Sequence, residues 1–436
     1  MKSKKLHKDI VNITTLGCSK NMVDSEVLSG QLMANGIKVK HESEKPDFNI
    51  SIINTCGFID KAKAESIQTI LEHVQLKEQG MLEKVYVTGC LSERYRNDLE
   101  EEIPGVDAWF GTMELPNILK AFEADYKTEL IGERILSTPS HYAYLKISEG
   151  CNRTCSFCAI PLMRGKHQSK TIEAIIKEAT LLVQKGVKEI MLIAQELTYY
   201  GLDIYKERKL PELLNALCEI EGIEWIRLHY AYPHKFPLEI VETIKKQPKI
   251  CNYLDLPLQH ISDNMLKAMK RHINQKDIIE LIQKIRAILP DICIRTTFIV
   301  GFPGETKQDI KELIQFIKDT KFDRVGVFTY SHEEDTDAYQ LKDSLSQKEK
   351  ERRAEEVMAA QQDISLEKNE QKIGKIFKVI IDKREAGRYI GRTEFDSVEV
   401  DNEIIIQTKQ KLNIGEFVQV QITKAFDYDL EGILVS

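Results

Sequence analysis

The sequence predicts an α/β protein in three parts: an N-terminal α/β segment with a parallel sheet, a partial (β/α)6 TIM-like barrel, and a small C-terminal antiparallel β-barrel of OB-like kind. Three observations predict it. Strand-like and helix-like stretches alternate to about residue 125. The alternation then recurs six times in roughly 200 residues, as (β/α) barrels require. From about Gln371 short alternating strands punctuated by glycines take over, the pattern of a small β-barrel.

In the first part, Val11–Leu16, Phe48–Asn54 and Lys84–Thr88 are short β-branched or apolar runs, separated by helical stretches such as Ser25–Ala34 and Lys63–Val74. Alternation of that kind builds a mostly parallel sheet. Leu130–Ser140 reads as a linker, broken by Gly132 and Pro139. The barrel strands are expected at Ala143–Ile147, Glu189–Ile193, Trp225–His229, Tyr253–Leu256, Ile292–Ile299 and Arg324–Thr329, with helices such as Thr171–Lys185 and Lys276–Ile288 between them. Ser346-x-x-Glu349 is a capping box that opens a charged helix running to about Lys368. The last part offers strands at Ile376–Ile381, Tyr389–Thr393, Val398–Val400, Glu403–Gln407, Phe417–Ile422 and Leu430–Val435. The expected domains are 1–125, 137–366 and 369–436.

With 436 residues, two or three cores are expected. A 30% charged, 42% hydrophobic composition reads as a soluble globular chain, and no apolar run approaches the ~20 residues that span a bilayer. The basic start Met1-Lys2-Ser3-Lys4-Lys5 is followed by His7, Lys8, Asp9 and Asn12 rather than an apolar stretch, which argues against a secretory signal. A net charge of −7 disfavours a nucleic-acid binder. Nine scattered cysteines suit a reducing, cytoplasmic location, where clustered thiols point to metal.

Three of those cysteines stand as Cys151-x-x-x-Cys155-x-x-Cys158, on the loop after the first barrel strand. Three thiolates in one short loop can hold three irons of a four-iron cluster. No fourth cysteine lies at a useful spacing, so one iron keeps an open site. A closed zinc knuckle would need four ligands, normally in C-x-x-C pairs. The loop resembles that of the radical S-adenosylmethionine (SAM) superfamily. The resemblance implies SAM bound at the open iron and cleaved to a 5′-deoxyadenosyl radical. It also implies that Phe157 covers the cluster from water.

Cys18, Cys56 and Cys90 lie far apart in sequence but share a context: each follows an expected strand and has a glycine neighbour, in Gly17-Cys18, Cys56-Gly57 and Gly89-Cys90. In a parallel sheet they emerge at one edge, and glycine admits close approach of backbone to a bulky ligand. They are therefore expected to hold a second [4Fe–4S] cluster; the plainer reading is three buried strand-end cysteines. Cys218, Cys251 and Cys293 lack the context and read as packing residues.

Two cysteine triads in this order, with Leu16-Gly-Cys-Ser-Lys-Asn-Met-Val-Asp-Ser-Glu26 and Ala159-Ile-Pro-Leu-Met-Arg-Gly-Lys-His-Gln-Ser169, resemble the radical SAM methylthiotransferase family over essentially the whole chain. That family joins an N-terminal cluster domain, a radical barrel and a C-terminal TRAM barrel. Lys20 and His167 resemble the branch that modifies a small-subunit ribosomal protein at an aspartate, rather than the transfer-RNA branch. The resemblance implies replacement of the aspartate β-C–H by a β-C–S–CH3 group. The expected partners are that ribosomal protein, free or in the ribosome, a sulfur donor, and an electron donor such as flavodoxin or ferredoxin. Membrane has no part, and nucleic acid at most an indirect one.

For the SAM contacts, Gln195 and Glu196 end the second barrel strand and resemble a family segment. Arg295 on the fifth strand could pair with the cofactor carboxylate. Gly301, in Val300-Gly-Phe-Pro-Gly-Glu-Thr306, could bring backbone close to the adenine, although a tight strand–helix turn explains that loop equally well. His260 reads equally as a contact or a structural histidine. The segment from Gln371 holds ten basic against eleven acidic side chains, which suits a basic protein partner better than RNA. Its Tyr389, Phe395 and Phe417 could stack on bases or fill a core. A non-catalytic two-cluster electron carrier would need four protein ligands per cluster, and the sequence offers three.

Overall fold

The computed structural model describes residues 9–43, 47–127, 130 and 132–435. Residues 1–8, which contributed to the reading against a secretory signal, lie outside them, as does Ile131 of the expected linker. The chain divides into two compact units. One comprises residues up to 138 with 144–153 and 159–181; the other comprises 139–143, 154–158 and 182 onward.

The first unit opens with β1 (Ile10–Thr15), α1 (Ser19–Ala34), β2 (Lys38–His41), β3 (Ile50–Thr55), α2 (Asp60–Glu78), β4 (Lys84–Gly89), α3 (Cys90–Glu102), β5 (Ala108–Trp109) and α4 (Leu115–Ala121). The sheet is parallel throughout, in the order β2-β1-β3-β4-β5. Adjacent residues of β3 feed opposite faces, as strand geometry dictates. Ile52 packs with Val11, Ile13 and Leu32 on one side, while Ile53 packs with Val85, Val87 and Ile70 on the other. The short edge strands β2 and β5 carry little apolar periodicity and were not expected. Residues 124–127 and 133–137 of the linker region carry no regular structure, yet Arg134 is fully buried between Glu26 and Glu178.

The chain continues through β6 (Tyr142–Lys146), β7 (Ser148–Glu149), α5 (Ile160–Arg164), β8 (Gln168–Ser169) and α6 (Ile172–Gln184). β7 and β8 pair antiparallel within the first unit.

The second unit carries β9 (Glu189–Ile193), α7 (Leu210–Cys218), β10 (Trp225–Leu228), α8 (Glu239–Lys246), β11 (Ile250–Asp255), α9 (Asp263–Ala268), α10 (Gln275–Ile288), β12 (Cys293–Val300), α11 (Lys307–Thr320) and β13 (Arg324–Thr329). These strands run parallel in the order β13-β12-β11-β10-β9, with β6 completing the sheet. At the start of β6 the amides of Lys188 and Glu189 donate to the His141 carbonyl at 2.8 and 3.0 Å. All six expected barrel strands are present, with ends shifted by up to three residues. α12 (Gln347–Glu370) starts at Ser346, whose hydroxyl accepts the Glu349 amide. It is no free connector: Lys350, Arg353, Val357 and Ile364 are buried.

The C-terminal barrel consists of β14 (Ile376–Glu385), β15 (Arg388–Arg392), β16 (Ile404–Ile406), β17 (Phe417–Ala425) and β18 (Leu430–Leu434). It closes in the order β14-β15-β16-β18-β17, antiparallel except for the parallel pair β16–β18. The strand expected at Val398–Val400 is instead a turn. There the Asp401 carboxylate accepts the Ser397 amide at 2.9 Å and the Tyr253 hydroxyl at 2.8 Å, which bends the backbone out of extension.

This barrel covers the end of the sheet where the strands begin. Phe395, Phe417 and Ile380 pack on Trp225, Cys251, Tyr253 and Cys293. Tyr389 is buried in the barrel's own core. Tyr389 thus fills a core, while the half-buried Phe395 and Phe417 pack against the sheet. Between barrel and sheet, fully buried Glu189 meets Arg227 at 2.9 Å and Arg392 at 2.5 Å, and Arg392 also pairs with Asp382 at 2.8 Å. Burial opposes its charge, but Arg392 and Arg227 hold the Glu189 carboxyl below the usual carboxylate range. Arg392→Met removes one partner and leaves charge uncompensated. A loss of about 3–5 kcal/mol is expected, read as a lowered denaturation midpoint. Among the described residues no helix is long and apolar enough to cross a membrane.

Candidate active site

In the first unit, Cys18 precedes α1 as its N-cap, Cys56 follows β3 directly, and Cys90 opens α3 directly after β4. Parallel pairing aligns those ends, Thr15 with Asn54 and Thr55 with Gly89, so all three cysteines leave the sheet at one edge. Their glycine neighbours are sterically required. A Cβ on Gly17 would lie 2.6 Å from the Cys56 Cβ and 2.9 Å from its Sγ. One on Gly57 would lie 2.8 Å from the Leu91 backbone, and one on Gly89 would lie 2.5 Å from the Thr55 carbonyl. Gly17 (φ +93°) and Gly89 (φ +100°) also occupy backbone conformations that side chains disfavour.

Asn21 ties the three ends together. Its amide donates to the carbonyls of Leu16 (2.8 Å) and Thr55 (3.0 Å), and its Oδ1 accepts from the Cys90 thiol at 3.8 Å. The same Oδ1 accepts from Arg164, a buried guanidinium that also donates to Asp24 at 2.6 Å. Burial pushes the Cys56 thiol up, and pushes that of Cys90 up to about 12, against the opposing pull of Arg164. Burial favours the protonated thiols of Cys56 and Cys90; a bound metal ion reverses that by deprotonating its thiol ligands outright. The donor set thus fits a metal cluster: three thiols at one edge, a glycine beside each, and a fixed cation nearby. Among the described residues no group of three His, Cys, Asp or Glu side chains stands as a site for a single metal ion. Asn21 lies in a quoted motif, but nothing in the sequence marked it as the tie between strands.

The loop of the second triad is anchored separately in each unit. In the first, Gly150 (φ +70°) passes so close to the segment after α5 that a Cβ would meet the Lys166 carbonyl at 2.2 Å. The Cys151 amide donates to the Gly165 carbonyl at 3.1 Å, the His167 amide to the Asn152 side chain at 3.1 Å, and the Arg153 amide to the Cys151 Sγ at 3.4 Å. In the second unit, the Cys158 amide donates to the Cys155 carbonyl at 3.1 Å, turning both thiols within one short bend. Phe157 packs on Met265, Met269, Phe302 and Tyr330. Arg271, fully buried, donates to the Cys155 Sγ at 3.2 Å, and the Tyr232 hydroxyl lies 3.7 Å from the same sulfur. No spacing or motif singled out Arg271 or Tyr232 in advance.

The other expected contacts are more mixed. Gln195 is half-buried after β9. Glu196 is buried, and its carboxylate accepts from the Thr198 amide (2.7 Å) and hydroxyl (2.5 Å) as cap of a single 3-10 turn. Arg295 pairs with Asp255 at 3.1 Å and with Asp401 of the C-terminal barrel at 3.3 Å. Gly301 (φ +79°) leaves room for the Lys350 stem, 2.4 Å from where its Cβ would lie. Its loop turns into α11 through a capping box of Thr306 and Asp309. His260 accepts the amides of Ile261 and Ser262 on Nδ1 at 2.9 and 3.0 Å. Cys218, Cys251 and Cys293 are buried; burial raises their thiols, to about 11 and about 12 for the first two.

A parallel (β/α) sheet with three cysteines on the loop after its first strand, followed by a closed five-stranded barrel, defines a radical SAM protein with a TRAM domain. Residues 145–317 match the family model of the Radical SAM superfamily, residues 373–435 that of the TRAM domain, and residues 10–111 that of Uncharacterized protein family UPF0004. The chain is 57% identical over 434 residues to ribosomal protein uS12 methylthiotransferase RimO of Flavobacterium johnsoniae, covering 99% of both chains. It is 55% identical over 436 residues to the RimO of Cytophaga hutchinsonii, covering 100% of both. The radical SAM methyltransferase TsrM of Kitasatospora setae shares the fold, at a TM-score of 0.56 and 13% identity over 73% of each chain. The chain belongs to the RimO family of ribosomal protein uS12 methylthiotransferases.

Proposed function

We infer that the chain is a radical SAM methylthiotransferase that places a methylthio group on the β-carbon of an aspartate of ribosomal protein uS12. One observation carries the two-site form of this reading: three separated cysteines meet at one sheet edge, apart in sequence from the Cys151–Cys158 loop. Residues 1–125 would form the auxiliary-cluster domain, 137–366 the radical SAM barrel and 369–436 the TRAM barrel. Cys151, Cys155 and Cys158 would ligate one [4Fe–4S] cluster, and Cys18, Cys56 and Cys90 a second.

When bound, the first cluster with SAM supplies a radical able to take a hydrogen atom from an unactivated C–H bond, which no base at neutral pH could deprotonate. The protein's own part is to position and shield. Phe157 and its apolar neighbours keep water from the loop. Gln195, Glu196 and the backbone at Gly301 line the strand ends where SAM would lie. Arg295, already neutralised by two carboxylates, we assign to holding sheet and C-terminal barrel together. In the first unit Arg164 and Asn21 orient the strand-end thiols. Electrons and sulfur come from separate donors, a flavodoxin or ferredoxin being of the right chemical class for the former.

The test is a choice assay. Reconstituted, reduced protein receives SAM and a sulfur source together with uS12 and an anticodon stem-loop RNA. Mass spectrometry then shows which acquires the methylthio group. Gain on the uS12 aspartate is expected. Gain on the RNA alone would overturn the substrate assignment and leave the radical chemistry standing.

A further inference from the structure

The second half of the cysteine loop rests on one short segment, Ala268–His272, at the end of α9. The Ser156 amide donates to the Met269 carbonyl at 3.1 Å, the Ser156 hydroxyl donates to the Ala268 carbonyl at 2.7 Å, and Thr154 Oγ1 meets His272 Nε2 at 3.1 Å. Lys270 and His272 both adopt positive φ (+52° and +57°), an arrangement non-glycine residues adopt rarely. The resulting turn aims Arg271 inward. Its guanidinium stacks over the Tyr232 ring at 4.2 Å, donates through Nη2 to the Pro257 carbonyl at 2.6 Å, and donates through Nη1 to the Cys155 Sγ at 3.2 Å. The Tyr232 hydroxyl donates to the Arg271 carbonyl at 3.0 Å, fixing the backbone of the same residue. A guanidinium held at three points, aimed at one sulfur and closed off from water is built for that sulfur.

We propose that Arg271 is a positioning residue that sets the reduction potential of the cluster held by Cys151, Cys155 and Cys158, through its charged hydrogen bond to the Cys155 sulfur. The inference rests on the reading of that loop as a cluster site. Reduction adds one electron, hence one negative charge, to a cluster of thiolates and sulfides. A cation donating to a ligand sulfur stabilises the more negative state, and hydrogen bonds to sulfur together with net charge are among the determinants of such potentials. The bond therefore makes the electron needed to open SAM easier to accept. Tyr232 contributes by holding the guanidinium flat and by excluding solvent.

The test reads the potential itself. With Cys18, Cys56 and Cys90 changed to Ala, only one cluster remains to be titrated. In that chain Arg271→Gln should load about four irons. At a fixed ambient potential its ratio of reduced to oxidised cluster should fall about tenfold, equivalent to about 59 mV for one electron. Arg271→Lys, which keeps the charge, should recover most of the ratio. An unchanged ratio in Arg271→Gln with full iron would overturn the proposal. Should neither variant load iron, the chain with Cys18, Cys56 and Cys90 changed to Ala and Arg271 intact decides, because Arg164 beside Cys90 would otherwise add guanidinium nitrogen next to a second reduced cluster. It is grown on arginine carrying heavy nitrogen in the guanidinium only, and the reduced cluster is read by electron spin echo modulation. Nitrogen coupling that persists in Arg153→Lys assigns the bond to Arg271; absence of coupling rejects it. If the unsubstituted chain itself loads no cluster at this loop and cleaves no SAM, the reading of the loop fails, and that failure is distinct from a failure of Arg271.

Discussion

Cys155→Ala is expected to abolish SAM cleavage and to lower the iron content of the reconstituted protein from about eight to about four per chain, whereas Cys56→Ala is expected to cause the same loss of iron and leave cleavage nearly intact. The asymmetry follows from where the two thiols stand. Cys155 sits in the bend that closes on Cys158, with Arg271 on its sulfur. Removing it would take away one of the three proposed ligands on a single loop, and two thiols do not hold a cluster with an open iron. Cys56 belongs to the set at the edge of the β2-β1-β3-β4-β5 sheet, built from different elements. Its loss is expected to stop methylthio transfer to uS12, because on the proposed reading the sulfur would have no site from which to be presented. Cleavage is measured as 5′-deoxyadenosine and transfer as the mass gain on uS12. Equal loss of cleavage in both variants would mean that the two triads do not divide the labour in this way.

The strand-end triad was legible in the sequence because its signal is local and repeated. A β-branched run, a glycine and a cysteine recur three times, and a parallel sheet converts that repetition into adjacency. The barrel strands were legible for the same reason: buried parallel strands read as apolar runs. β2 and β5 were not, since Lys38–His41 alternates weakly and Ala108–Trp109 is too short to show any period. The false strand at Val398–Val400 shows the reverse error. Its valines have strand propensity, but Asp401, pulled toward Tyr253 and Arg295, decides the backbone. Arg295 itself was judged by charge alone. A cation on a barrel strand is compatible with a cofactor carboxylate, yet the carboxylates it meets are Asp255 and Asp401, the second over one hundred positions away. Arg271 was missed because its function depends on a turn with two left-handed non-glycine residues, Lys270 and His272, and no propensity announces such a turn. What sequence conveys well is periodicity and repetition; what it hides is which of many charged side chains a tertiary contact selects.

Gly17→Val is expected to eliminate the proposed second cluster while sparing the first. The substitution sets a β-branched side chain at φ +93°, a region open to little but glycine, and drives its Cβ to within 2.6 Å of the Cys56 Cβ. Contacts that short do not persist, so either β1 or the turn carrying Cys56 must move by about 1 Å. A displacement of that size carries the Cys56 thiol away from the other two strand-end thiols. The variant should therefore retain 5′-deoxyadenosine formation, bind about four irons instead of about eight, and lose methylthio transfer as Cys56→Ala does. Gly36→Ala provides the control. Gly36 also has positive φ (+85°), but a Cβ there would meet nothing within 4 Å. It bears the backbone strain alone, about 1–2 kcal/mol, and should lower stability without touching iron content. Loss of iron in both variants would place the effect in general destabilisation of the unit. Loss only in Gly17→Val would place it in the contact with Cys56, where the absence of a side chain lets two strand ends bring their thiols to one point.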